Sequence, residues 1–174
     1  MDELLEKLKI GDEKAFEEVV KIFKKQLLLI AKLRLKDDGL ADDAVQETFI
    51  TLFLNAKKIK EYSKLKSWVT VVLINNCNNL IKKNKNLEVA YEFDTFHNYM
   101  KYEDEFENVN DNIDFLKFIE FLNVEERTII AMYYSENYTT KEISDILKIK
   151  ESTIRSKMLR AKGKIKEKLG GAIQ

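Results

Sequence analysis

The sequence predicts an all-α protein built as two small helical domains, and three observations carry that prediction. Proline is absent and glycine occurs only five times in 174 residues, so the turn residues on which hairpin-rich β proteins depend are scarce. Hydrophobic residues make up 45% of the chain, enough to bury a core in one ordinary domain or two small ones. The net charge of zero conceals a division. Residues 1–86 carry 17 basic and 13 acidic side chains, residues 87–114 carry one and nine, and residues 115–174 carry 12 and eight. The segments therefore hold about +4, −8 and +4, which predicts two mildly basic domains joined by an acidic flexible linker.

Taken in order, the first helix opens at Asp12, a capping residue, and repeats Phe16, Val19, Phe23, Leu27 and Ile30 at helical spacing. Lys36, Asp37, Asp38 and Gly39 break the pattern. From Leu40 to Ala56 the rhythm returns through Ala44, Val45, Phe49, Leu52, Phe53 and Ala56, with Asp42, Asp43, Gln46 and Glu47 on the other side. A polar stretch around Tyr62 leads into a third helix from about Ser67 to Lys83, apolar first and Asn-rich later. Beyond the linker, Ile113, Leu116, Ile119 and Leu122 predict a short amphipathic helix that stops near Asn123. Asn123 with Glu126, and Thr139 with Glu142, have the spacing of capping boxes and fix two helix starts. Lys148, Ile149 and Lys150 then form a turn before a last helix with the stripe Ile154, Met158, Ala161, Ile165 and Leu169. The last two helices make a helix-turn-helix candidate.

Several classes are disfavoured. Cys77 is the single cysteine and cannot form an internal disulfide, no apolar run reaches membrane-spanning length, and the N-terminus lacks a signal-peptide pattern. The expected address is cytoplasmic, with no membrane insertion. Gly-rich phosphate loops and nucleophile motifs are missing, so no catalytic residue is expected, and neither is a metal or cofactor. Asp42, Asp43 and Glu47 invite a reading as metal ligands or paired carboxylates, because residues four apart on a helix converge. Stabilisation of first-turn acids by the helix dipole accounts for them more simply, and the sole histidine, His97, lies in the linker.

The last helix gathers Lys150, Arg155, Lys157, Arg160, Lys162, Lys164, Lys166 and Lys168, with Ser152, Thr153 and Ser156 near its start. A recognition helix puts N-terminal side chains on major-groove base edges while nearby Lys and Arg hold phosphates, so the pattern points to DNA. In the first domain Asn75, Asn76, Asn78 and Asn79 precede Lys82, Lys83 and Lys85, and Asn75 and Asn79 share a helix face. Amides can read bases, although compositional bias also fits a chain with 26 Lys and four Arg. Tyr62, Trp68 and Phe93 are candidates to stack on unpaired bases, with Tyr62 and Trp68 preferred.

Two stretches resemble the sigma factors of bacterial RNA polymerase, in the short extracytoplasmic-function group of the sigma-70 family. DDAVQETFITLFLNAKKI from Asp42 and KSWVTVVLINNCNNLIKK from Lys66 resemble region 2, with its acidic DxVQE helix and WLxxIAxN-type helix. LNVEERTIIAMYYSENYTTKEISDILKIKESTIRSKMLRAKGKIKEKL from Leu122 resembles region 4 and its helix-turn-helix. The resemblance implies a transcription initiation factor that binds core polymerase through its clamp coiled coil and flap and recognises promoter DNA. An anti-sigma factor that holds it inactive is a further implied partner. Asp42, Asp43, Gln46 and Glu47 would meet the clamp. Tyr62, Lys64, Trp68, Asn75, Asn79, Lys82 and Lys83 would serve the minus-ten element and melting. Ser152, Thr153, Arg155, Ser156, Lys157 and Arg160 would read the minus-thirty-five element, with Ile154 and Met158 in the core. The sequence departs from the family pattern at Lys148, where Gly is common, at Val124, where Pro is frequent, and at Val71, where a basic residue is usual. A stand-alone helix-turn-helix regulator and a metal-assisted nuclease or phosphotransferase using Asp42, Asp43 and Glu47 are the competing readings of the residues alone.

Overall fold

The computed structural model describes residues 2–84, 119 and 121–170, and every element among them is helical. The chain divides into two units, Met1–Lys85 and Asn86–Gln174. Residues 87–114, which include Phe93, His97 and the acids of the expected linker, lie outside the described residues, as does most of the expected 113–122 helix. No described helix is long and apolar enough to cross a membrane.

The first unit is a bundle of α1 (Asp2–Lys9), α2 (Glu13–Leu35), α3 (Asp38–Asn55) and α4 (Leu65–Lys83), with short 3-10 turns at Ala56–Lys58 and Tyr62–Lys64. Asp12 caps α2, its carboxylate accepting from Ala15 N–H at 2.8 Å. Leu27, Ile30, Leu52, Leu65 and Leu73 are fully enclosed where α2, α3 and α4 pack together, and each such side chain contributes roughly 1.5–3 kcal/mol by leaving water. Cys77 joins this core, and burial pushes its thiol up to about 12, so it packs as a neutral group.

Three features differ from the sequence expectation. The helix α1 was not foreseen, because eight residues offer too little periodicity; Leu5 and Leu8 nevertheless bury completely as α1 packs on α2. The break between α2 and α3 is only two residues long. Lys36 adopts a left-handed φ of 52°, and Asp37 caps α3 by accepting from Leu40 N–H at 2.8 Å, so Gly39 falls inside the helix. Asp42 and Asp43 consequently sit beyond the first turn, where the helix dipole has faded, and Asp38 is the first-turn acid. Phe53 is the third correction: it is 46% exposed at the edge of α3, with its ring edge-on to Phe16 at 5.2 Å.

In the second unit, α5 (Val124–Tyr134), α6 (Thr140–Leu147) and α7 (Glu151–Gly170) pack on one another. Both capping boxes form. Asn123 accepts from Glu126 N–H at 2.9 Å and Glu126 accepts in return from Asn123 N–H at 3.3 Å. The Thr139 and Glu142 pair does the same at 3.2 and 2.8 Å. Ile129, Ile130, Met132, Tyr138, Ile143, Ile146, Ile154, Met158 and Ala161 form the core, closed by Ile119 and Leu122.

Lys148 ends α6 at φ 57° and ψ 38°, with its N–H donating to Ser144 C=O. A Cβ in this left-handed region is strained by about 1 kcal/mol, as the lysine in place of glycine suggested. Lys148→Gly should therefore raise the stability of this unit by about 0.5–1 kcal/mol in urea denaturation; an unchanged or lower midpoint would show that the turn carries no strain.

Candidate nucleic-acid and protein interfaces

Packing sorts the basic residues of α7. Ile154, Met158 and Ala161 turn into the core, so Ser152, Arg155, Ser156 and Leu159 occupy the opposite, solvent side. Lys157 and Lys164 lie on the flank toward α5, where Lys157 donates to Glu125 at 2.6 Å and Lys164 to Glu126 at 2.8 Å. Lys162 rests 5.5 Å over the Tyr134 ring and Lys168 4.4 Å over Phe121. Glu151 ties the start of α7 to α6: it accepts from Thr140 Oγ1 at 2.7 Å and pairs with Arg155 at 2.8 Å. These two bonds hold its carboxyl below the usual range. Of the six residues expected to read DNA, Ser152, Arg155, Ser156 and Arg160 are exposed and Thr153 is half-buried beside them. Lys157 is not brought onto that side: it is largely covered and braced against α5.

The Asn-rich part of α4 is also sorted by its neighbours. Asn76 donates to Thr48 Oγ1 of α3 at 3.1 Å, and Asn78 accepts from Arg34 of α2 at 2.8 Å, so both fasten the bundle. Asn75, Asn79, Lys82 and Lys83 face solvent. Trp68 is half-buried two turns before Asn75, which aligns Trp68, Asn75, Asn79 and Lys82 along one side of the helix. Lys64 is exposed and Tyr62 half-buried in the turn ahead of α4; burial, with the Glu18 charge, pushes the Tyr62 hydroxyl above its ordinary range.

On α3, Ala41, Ala44, Val45, Thr48, Phe49 and Leu52 are buried, which leaves Asp42, Asp43, Gln46 and Glu47 exposed on the outer side. The same outer side continues into Ile50, Phe53 and Leu54, the last 74% exposed. Sequence reasoning missed this apolar extension, although counting on from Asp43 and Glu47 by three and four would have found Ile50 and Leu54. Among the described residues no group of three or more His, Cys, Asp or Glu side chains is placed to hold a metal ion.

A helix-turn-helix with a basic outer side accompanies a helical unit that exposes an acidic and apolar helix face, and these surfaces have the chemistry suited to DNA and to a protein partner. The sequence profile of sigma-70 region 2 matches residues 19–87, and that of sigma-70, region 4 matches residues 119–167. The chain belongs to the sigma-70 family, in its extracytoplasmic-function group. It is 24% identical over 168 residues to the ECF RNA polymerase sigma factor SigM of two Mycobacterium tuberculosis strains, covering 97% of this chain and 84% of the relative. Its fold is similar to the sigma factor RpoE, solved with the anti-sigma factor NepR from Bartonella quintana. The TM-score is 0.70 at 22% identity, over 90% of this chain and 98% of that one. It is also similar to CnrH in complex with the cytosolic domain of CnrY, with a TM-score of 0.65 at 15% identity over 97% and 96% of the two chains.

Proposed function

We propose that this protein is a promoter-specificity subunit: it binds core RNA polymerase, reads two spaced promoter elements, helps open the duplex, and carries out no covalent reaction itself. The observation that carries the reading is the order of the two regions, region 2 at residues 19–87 and region 4 at residues 119–167, with an outward basic helix in the second. In this reading residues 1–86 bind polymerase and the minus-ten element, 87–114 link, and 115–174 read the minus-thirty-five element.

Each face has a role that its chemistry supports. The exposed acids Asp42, Asp43 and Glu47, with Gln46, suit a basic, helical polymerase surface such as the clamp coiled coil, and region 4 would meet the flap. Asn75 and Asn79 suit base edges, Lys64, Lys82 and Lys83 suit phosphates, and Trp68 and Tyr62 suit stacking on bases freed by melting. Ser152, Thr153, Arg155, Ser156 and Arg160 read the upstream element, while Lys157 braces the helix that carries them. The place of action is the cytoplasm. RpoE and CnrH were solved with the anti-sigma factor NepR and with CnrY, and an anti-sigma partner is part of the same proposal for this chain.

The test is transcription by core polymerase, with and without the protein, from duplexes randomised in both promoter segments. Enrichment of two spaced blocks only when the protein is present is the expected result. Sequence-specific duplex binding by the protein alone, without affinity for core polymerase, would replace this reading with a stand-alone regulator.

A further inference from the structure

The outer side of α7 carries one residue that neither the core nor phosphate binding explains. Leu159 is 73% exposed, while its helix neighbours Met158 and Ala161 are buried. The line through Ser152, Arg155, Ser156 and Leu159 has the spacing i, i+3, i+4 and i+7. Residues at that spacing form a single face of a helix lying in the major groove, and recognition helices read bases with four positions so spaced. Leu159 occupies the fourth position. Arg155 and Ser156 stand one turn before it and Gly163, which has no side chain, one turn after, and the leucine is left largely open to solvent.

We infer that Leu159 is a specificity-determining residue that packs on the C5-methyl group of a thymine in the upstream promoter element. The inference rests on the promoter-binding reading and names a base within it. A protein-docking surface would present a contiguous apolar patch, as Ile50, Phe53 and Leu54 do on α3. Leu159 instead stands singly among hydroxyl and guanidinium groups, and the floor of the major groove matches that arrangement: hydrogen-bonding base edges interrupted by one apolar group, the thymine methyl. Arg155 and Ser156 would bond the adjacent edges while the leucine excludes water from the methyl. Cytosine carries only hydrogen at that ring position and has an amino donor where thymine has its O4 acceptor, so loss of the methyl contact discriminates between the two pyrimidines.

The experiment uses the full chain with core polymerase on the upstream duplex enriched by the promoter selection. Each thymine is replaced in turn by deoxyuridine, which removes only the methyl group. One replacement should weaken binding by about four-fold, the fold-change that burying a methyl-sized group produces. Leu159→Ala, a surface change to a better helix former, should bind native DNA more weakly by a similar factor, lose the deoxyuridine effect, and accept cytosine at that position. Leu159→Met should restore the thymine preference. Selection that enriches an upstream block whose deoxyuridine forms all bind like thymine overturns the inference and leaves the promoter reading intact. So does a deoxyuridine effect of equal size in Leu159→Ala. Failure to enrich any upstream block overturns the promoter reading itself.

Discussion

The double variant Asp43→Lys, Glu47→Lys is expected to lose at least about 100-fold in affinity for core RNA polymerase, because juxtaposed like charges across an interface cost several kcal/mol. Both side chains stand on the solvent side of α3, one turn apart, away from the buried Ala44, Val45 and Thr48. The substitution therefore alters the face and spares the packing. Its effect on folding should stay within about 0.5 kcal/mol, as for other surface changes remote from caps and buried pairs. Fluorescence anisotropy against labelled core enzyme, with a urea melt of the same preparation, separates the two quantities. Native-like polymerase affinity in a folded variant would remove α3 from the interface. Salt should weaken the native complex, since the acids act through charges that ions screen over about 10 Å at 0.1 M. In the proposed complex Ile50, Phe53 and Leu54, next along the face, would add an apolar contact that salt does not screen.

Glu126→Ala is expected to lower the stability of the second unit by about 2–3 kcal/mol. The Glu126 side chain is 5% exposed and does two jobs: it completes the capping box with Asn123 N–H and binds Lys164 through both carboxylate oxygens at 2.9 and 2.8 Å. Loss of the cap accounts for about 1 kcal/mol. Breaking a buried ion pair costs about 3–5 kcal/mol when both partners are enclosed, and the half-exposed Lys164 recovers part of that by turning to water. For a unit of this size the transition should fall by roughly 10–20 °C, read by circular dichroism or as faster hydrogen exchange in α5. Glu125→Ala makes a useful comparison. Its pair with Lys157 lies nearer the surface and supplies no cap, so the expected loss is about 1 kcal/mol or less. Equal melting of the Glu126 and Glu125 variants would show that burial of the Glu126 carboxylate contributes nothing.

Those two residues also mark where reading the sequence succeeded and where it stopped. That Glu126 would turn back onto Asn123 was legible, because a capping box is a contact between residues three apart whose geometry the helix start itself fixes. That Glu126 would also hold Lys164, 38 residues away, was not. The eight basic residues assigned to the last helix looked alike in the sequence, and packing of α7 on α5 made Lys157 and Lys164 braces while leaving Arg155 and Arg160 outward. The four asparagines of α4 divided in the same way. Spacing showed that Asn75 and Asn79 share a face, but the bundle decided that Asn76 and Asn78 would bond Thr48 and Arg34.

The sequence by itself determined the all-helical class, the principal helices, the capping boxes, the left-handed turn at Lys148 and the region 2 and region 4 motifs. All of these rest on periodicity, on contacts between near neighbours in the chain, or on motif order. Only the tertiary structure decided that Phe53 would be exposed and that α1 would form against α2. A phenylalanine on the apolar side of an amphipathic helix is assigned to the core by default, and how far the core reaches depends on where the neighbouring helices pack. That information lies in contacts between residues far apart in the chain, which no local pattern encodes.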